Sequence, residues 1–170
     1  MKVYKFGGAS INNIDRIKNT ANIINNHKSD KLLVVISAMG KTTNALEKVV
    51  EAFFDNRQED ALKLFEQIKE SHLNVLKYLV TINWQEAENK LKDFFTEIEW
   101  MLHDKPVRSF DYYYDQVVCC GELFSTCLVS QYLLEQKVKV TWVDVRDIIR
   151  TDDNFRDAAI DWAFTEKKIH

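Results

Sequence analysis

Five consecutive aliphatic residues, Leu32-Leu33-Val34-Val35-Ile36, constrain this chain more than any other feature. Side chains of a strand alternate between two faces. A run apolar at every position is apolar on both faces, the pattern of a strand in a parallel sheet covered by helices on each side. The flanking segments agree. Val3-Tyr4-Lys5-Phe6 is β-prone and ends in Gly7-Gly8, a strand running into a glycine turn. Ile14, Ile17, Ala21 and Ile24 then recur at helical spacing, with Asn12 or Asn13 in position to cap. After the aliphatic run, Ala38 to Thr43 reads as a loop, and Leu46, Val49, Val50, Phe53 and Phe54 mark another helix. This β-α-β-α opening predicts an α/β domain.

The remainder is predicted to be mostly helix. One proline and four glycines in 170 residues argue against a sandwich or barrel of many short strands. Leu62, Phe65, Ile68, Leu73, Leu76 and Leu79 form one helical stripe, and Trp84, Ala87, Leu91, Phe94, Phe95, Ile98, Met101 and Leu102 another. The break falls near Thr81-Ile82-Asn83, so the pair reads as a helical hairpin inserted in the α/β unit. Its aromatic residues are expected to pack a core, in preference to a ligand box. Beyond Pro106, a well-buried helix is expected from about Asp115 to Glu135. Val138 to Val143 reads as a third strand, and a further helix starts within Ala158 to Phe164. The division expected is a βαβα core over 1–55, a helical hairpin over 56–105 and a return to the α/β core over 106–170.

Several function classes are disfavoured. The net charge is −3 and no stretch gathers Lys and Arg, so no nucleic-acid partner is expected. The longest apolar run is far short of a membrane span, and Met1-Lys2 leads directly into a strand without a signal region. Cys119, Cys120 and Cys127 give no disulfide framework, which fits a cytoplasmic protein. His27, His72, His103 and His170 form no cluster and are read as lying on polar helix faces or at ends, so no metal site is expected.

Four segments could carry chemistry. Lys5-Phe6-Gly7-Gly8-Ala9-Ser10 brings a strand to two glycines, with a helix soon after. Glycines let backbone N–H groups approach an anion, a helix N-terminus favours negative charge, and lysine places a point charge on a phosphate. The same pattern also serves as a plain tight turn with a solvated lysine. Ser37 to Asn44 imitates the end of a P-loop at Gly40-Lys41-Thr42, but Val35 stands where that pattern demands glycine. What remains is a polar loop at the carboxyl end of a strand. In Cys120-Gly121-Glu122, a carboxylate among apolar neighbours needs a partner or a polar ligand. Trp142 to Asp147 alternates Asp and Arg and reads first as local ion pairing. In doubly wound sheets, ligands sit outside the carboxyl ends of the strands. The first, second and fourth segments each follow a strand, so one shared site is the economical reading.

These residues resemble a known family. Lys5-Phe6-Gly7-Gly8-Ala9-Ser10 resembles the KFGGTS opening of the aspartate kinases of the amino-acid kinase superfamily, with Ala9 where Thr is usual. Val35 to Leu46 is similar to their VVxSAxxxxTNxL segment, and Gly121-Glu122-Leu123-Phe124-Ser125 to their GExxS segment. Trp142 to Arg146, followed by Thr151-Asp152, resembles their strand–DxR–TD stretch. The resemblance implies a three-layer α/β/α sandwich around a mainly parallel sheet, with this chain as an N-terminal lobe bearing a helical insertion. It implies transfer of the ATP γ-phosphoryl group, with Mg2+, to the β-carboxylate of L-aspartate, the first step towards lysine, threonine and methionine.

Carried over residue by residue, Lys5 would act in catalysis and bind ATP phosphates with Gly7, Gly8, Ala9 and Ser10. Ser37, Thr43 and Glu122 would hold aspartate, with Glu122 facing its ammonium group. The family's later RGGSD-type motif, nucleotide-base lobe and ACT regulatory domains have no counterpart in these 170 residues. The resemblance therefore implies the amino-acid-binding part of an aspartate kinase, inactive alone. A sheet cut partway would expose a strand edge and invite self-association. Two alternatives stay open: another kinase of the superfamily, acting on glutamate, acetylglutamate or uridylate, and a non-catalytic amino-acid-binding module.

Overall fold

The computed structural model describes residues 1–29 and 31–169; Asp30 and His170 lie outside them, and with His170 one of the four histidines considered above. Two strands, β1 (Lys2–Phe6) and β2 (Leu32–Ile36), pair in parallel with Lys2 opposite Leu32 and Phe6 opposite Ile36. The crossover between them is α1 (Ile14–Asn26), as a parallel pair requires. Its start is set by Asn13, whose side chain accepts a hydrogen bond from the Arg16 N–H. Its buried face is Ile17, Thr20, Ala21 and Ile24, spaced at helical period.

After β2 come α2 (Thr42–Phe54), α3 (Gln58–Leu79), α4 (Trp84–His103), α5 (Phe110–Val118), α6 (Cys120–Glu135) and α7 (Trp162–Ile169). The break between α3 and α4 falls at 80–83, and Glu135 fastens it by accepting from the Thr81 and Ile82 amides and the Thr81 hydroxyl. α3 packs along α2, and α4 along α6. Phe124 of α6 lies at the centre, fully buried, with Phe95 of α4 and His72 of α3 set edge-on against its ring.

Four expectations need correction. First, β2 is not buried on both faces: Leu33 and Val35 are about half exposed, because no described segment covers that side of the sheet. Second, Val138 to Val143 forms no ladder, since no described strand lies beside it. It packs Val140 and Trp142 on the core as a single extended segment. Third, the helix expected over 115–135 is two helices. Ser109 caps α5 by accepting from the Tyr112 N–H, and the chain breaks at Cys119 before α6. Fourth, His72 is not on a polar face: it is 1% exposed and packed in the core. Within residues 110–135 an 18-residue window with mean hydropathy 1.5 is apolar enough for a membrane span. That window is 72% buried inside the fold, which accounts for its composition as part of a core helix pair.

Candidate functional site

Segments far apart in sequence meet at the carboxyl ends of the two strands. Phe6 O accepts from the Ser37 N–H at 3.0 Å, continuing the ladder past β2. A turn of 3-10 helix over Gly8–Ser10 follows, and Gly8 O accepts from the Gly40 N–H at 3.3 Å. This crossing explains Gly8: a Cβ there would lie 2.6 Å from the Ala38 carbonyl oxygen, so only glycine lets the two loops touch. The Ser10 amide donates to Gly7 O at 2.8 Å and its carbonyl accepts from the Thr20 hydroxyl at 3.0 Å, so of the polar groups of Ser10 only the hydroxyl has no partner among the described residues.

Lys5 points its ammonium over this turn. Lys5 Nζ lies 3.5 Å from where a Gly7 Cβ would be. Among the described residues no carboxylate pairs with it, so its charge is available to an anion. Alternation along β1 places Lys5 with Val3 on the open side of the sheet, and Tyr4 and Phe6 on the covered side.

The loop after β2 is fastened to α6 by two hydrogen bonds. The Ala38 N–H donates to Glu122 Oε1 at 3.2 Å, and the Met39 N–H donates to Ser125 Oγ at 2.8 Å. Ser125 Oγ in turn donates to Gly121 O at 2.9 Å, so this buried hydroxyl uses both its donor and an acceptor position. Gly121 allows the approach: a Cβ there would stand 3.1 Å from Ala38 Cβ and 3.3 Å from Leu46 Cδ1. Glu122 sits in the first turn of α6, where the helix dipole favours its charge, and Oε2 has no partner among the described residues. Thr42 starts α2 and turns its hydroxyl to Met39 O at 2.7 Å. Thr43 follows in the first turn of α2, half-buried. Three loop or helix ends, those carrying Lys5, Ser37 and Thr43, and Glu122, are thus tied into one unit.

The fourth segment attaches elsewhere. Arg146 pairs with Asp144 and with Glu97 of α4 at 2.8 and 2.9 Å, and Trp142 Nε1 donates to Thr126 Oγ1 at 3.0 Å. Burial alone would raise the Asp144 carboxyl, but the Arg146 guanidinium overrides it and holds that carboxyl below its usual range. Its ion pairing is structural, as the alternating charges suggested, and the third segment takes its place beside the first two. Ser125 escaped the reading of roles from sequence, although its motif was visible. Its two bonds go to backbone groups, which no side-chain pattern reveals. Beside the site, the Cys119 and Cys120 thiols both donate to the Gln116 carbonyl, at 3.6 and 3.4 Å. Their closeness holds Cys119 below the usual thiol range and, with burial, pushes Cys120 above it. No group of three or more His, Cys, Asp or Glu among the described residues could hold a metal ion.

The model of the amino acid kinase family matches residues 1–169. The lysine-sensitive aspartokinase 3 of Escherichia coli is 32% identical over 162 residues, covering 95% of this chain and 34% of the relative. Aspartokinase 1 of Arabidopsis thaliana, a chloroplastic protein, is 33% identical over 163 residues, covering 89% of this chain and 27% of the relative. Among solved structures, E. coli aspartokinase III with lysine and aspartate superposes with a TM-score of 0.82 at 26% identity, covering 98% of this chain and 36% of that one. The same enzyme with aspartate and ADP gives 0.75 at 28% identity, covering 97% and 36%. The chain spans about a third of the length of the relatives it matches. It belongs to the amino acid kinase family, and the members it resembles over nearly its whole length are aspartokinases.

Proposed function

We propose that this chain is the amino-acid-binding part of an aspartate kinase, with residues 1–55 and 106–170 as its α/β core and 56–105 as a helical hairpin inserted between them. One observation carries the reading. The loop holding Ser37 is bonded through the Ala38 N–H to Glu122, a carboxylate that keeps one oxygen free, while Lys5 extends an unpaired ammonium from the adjoining turn. An amino acid needs a carboxylate for its ammonium group and donors for its carboxylates. A transferred phosphoryl group needs positive charge.

In the reaction, an oxygen of the aspartate β-carboxylate forms a bond to the γ-phosphorus of ATP. The bond from that phosphorus to the β,γ-bridging oxygen breaks, and ADP leaves with the electron pair. The products are 4-phospho-L-aspartate and ADP. The nucleophile needs no general base, because a carboxylate is ionised at neutral pH. Glu122 Oε2 receives the substrate ammonium, and the Ser37 and Thr43 hydroxyls donate to its carboxylates. Gly7, Gly8, Ala9 and Ser10 face the phosphates, and Lys5 neutralises the charge that develops as the phosphoryl group moves. Mg2+ would be held by the nucleotide's own phosphates and would neutralise part of their charge. The comparisons support this reading, since one solved relative carries aspartate and ADP together.

Calorimetry of this chain with aspartate, glutamate and UMP tests the proposal. Aspartate should bind in preference to both others, and Glu122→Gln should weaken it at least tenfold. Lys5→Ala should leave aspartate binding largely unchanged, and in an active protein carrying this chain it should cut turnover strongly. Preferential binding of glutamate or UMP, or an unchanged aspartate affinity in Glu122→Gln, would overturn the assignment.

A further inference from the structure

A second cavity lies on the far part of α6 from Glu122, enclosed by α4, α6 and the extended segment 138–143. Its volume is about 390 Å3. Phe94, Trp142, Leu134 and Val140 supply apolar walls, and the Phe94 and Trp142 rings stand 5.6 Å apart at a tilt. It shares no residue with the Lys5, Ser37 or Glu122 segments. Within this wall lies Gln131, 5% exposed, whose carboxamide makes no hydrogen bond to any described residue. Its polar atoms are not sealed off, since His72 Nε2 is the buried side-chain N or O atom left without a partner among the described residues, so the Gln131 carboxamide is open to water through the cavity. Gln131 thus presents both a donor and an acceptor to whatever enters.

The other polar groups restrict what that is. The Trp142 N–H is committed to Thr126 Oγ1, which fixes the ring. The Ser130 hydroxyl donates to Cys127 O at 2.8 Å. Lys90 at the rim is exposed and paired with Glu86 at 2.7 Å, and Asp93 beside it is exposed and solvated. These two are the charged lining residues, and burial pushes the Cys127 thiol up to about 11. An ion entering would lose hydration and have to compete with Glu86 for Lys90 or with water for Asp93. A flat apolar body would stack on one of the two tilted rings with its edge against the other, and a paired donor and acceptor would replace water at the carboxamide.

We propose that this cavity is a binding site for a neutral, planar heteroaromatic molecule whose edge sets a hydrogen-bond donor beside an acceptor, as a lactam does. It is independent of the aspartate site, so either assignment stands if the other fails.

The test is an NMR titration of the chain with 2-pyridone, and with benzene as an apolar probe of similar shape. The Trp142 indole N–H resonance is identified by its loss in Trp142→Phe. We expect a saturable shift of this resonance with 2-pyridone and intermolecular NOEs from the probe to the Phe94 and Trp142 rings. Pyridone should bind at least tenfold tighter than benzene. Gln131→Leu should erase that tenfold preference while leaving benzene binding unchanged. No saturable shift up to the solubility of pyridone, or NOEs to other rings only, would overturn the proposal. So would equal pyridone affinity in the parent and Gln131→Leu. If leucine disturbs the fold, the parent chain alone decides: equal affinity for pyridone and benzene overturns the proposal, and tighter pyridone binding supports it.

Discussion

Ser125 and His72 are both buried polar side chains, and they behave oppositely. Ser125 satisfies two backbone groups, one on its own helix and one on the loop after β2. Ser125→Ala leaves the buried Met39 N–H without an acceptor, a loss of about 1–3 kcal/mol. Urea unfolding should show that loss, and aspartate affinity should fall with it, because the loop carrying Ser37 is no longer fastened. An alanine variant of parental stability and affinity would show the bond to be idle. His72 satisfies only one of its ring nitrogens: Nδ1 meets Ile68 O at 2.7 Å, while Nε2 has no partner. Burial holds its pKa below the usual histidine value, partly offset by the Ile68 carbonyl. The folded protein therefore keeps His72 neutral, while the unfolded chain takes up a proton near pH 6.5. Below that pH the unfolded state binds more protons, and stability falls as pH drops, by at most about 1.4 kcal/mol per unit. Between pH 7 and 5 the parent should lose stability that His72→Leu retains. Parallel pH profiles for the two proteins would show that His72 does not titrate on unfolding.

At the scale of elements, Phe95 tests whether the helical pair α3–α4 belongs to the core. Its ring is 2% exposed and meets Phe65 of α3 at 6.0 Å and Phe124 of α6 at 5.0 Å. Phe95→Ala should cost about 3–5 kcal/mol by loss of transfer energy and the cavity left behind. Unfolding should remain one cooperative transition, since α4 is anchored on α6. Two separated transitions would make the hairpin an independent unit. These helices were legible in sequence because stripes such as Leu62, Phe65, Ile68 and Leu76 obey a 3.6-residue period. The junction at Cys119 was not legible: the residue keeps near-helical angles, φ −61° and ψ −23°, and the nearby glycine, Gly121, lies inside α6 and does not mark the break. Nor was the fate of Val138 to Val143, because a strand needs a neighbour and its own sequence does not report one. The site divides similarly. Lys5, Gly8 and Glu122 stood out by residue type in an unlikely setting. The backbone partners Ala38 and Met39 did not, since their role comes from amides that every residue has.

For the whole molecule, the sheet is the unfinished part. Val3, Leu33 and Val35 share its open face and are 58%, 48% and 45% exposed. The register places Val3 opposite Leu33 and Lys5 opposite Val35, so three apolar side chains form a patch with one cation at its end. Each strand also has one edge unpaired among the described residues. An open edge beside an apolar face is a template for another strand, and a two-stranded sheet is marginal by itself. Self-association through this sheet is therefore expected. Light scattering across a concentration series should show the weight-average mass rising in the parent chain. Leu33→Lys with Val35→Lys should hold it at the monomer mass, since both substitutions add charge to the exposed face without touching the covered one. A parent chain that stays monomeric at high concentration would mean that this face does not drive pairing.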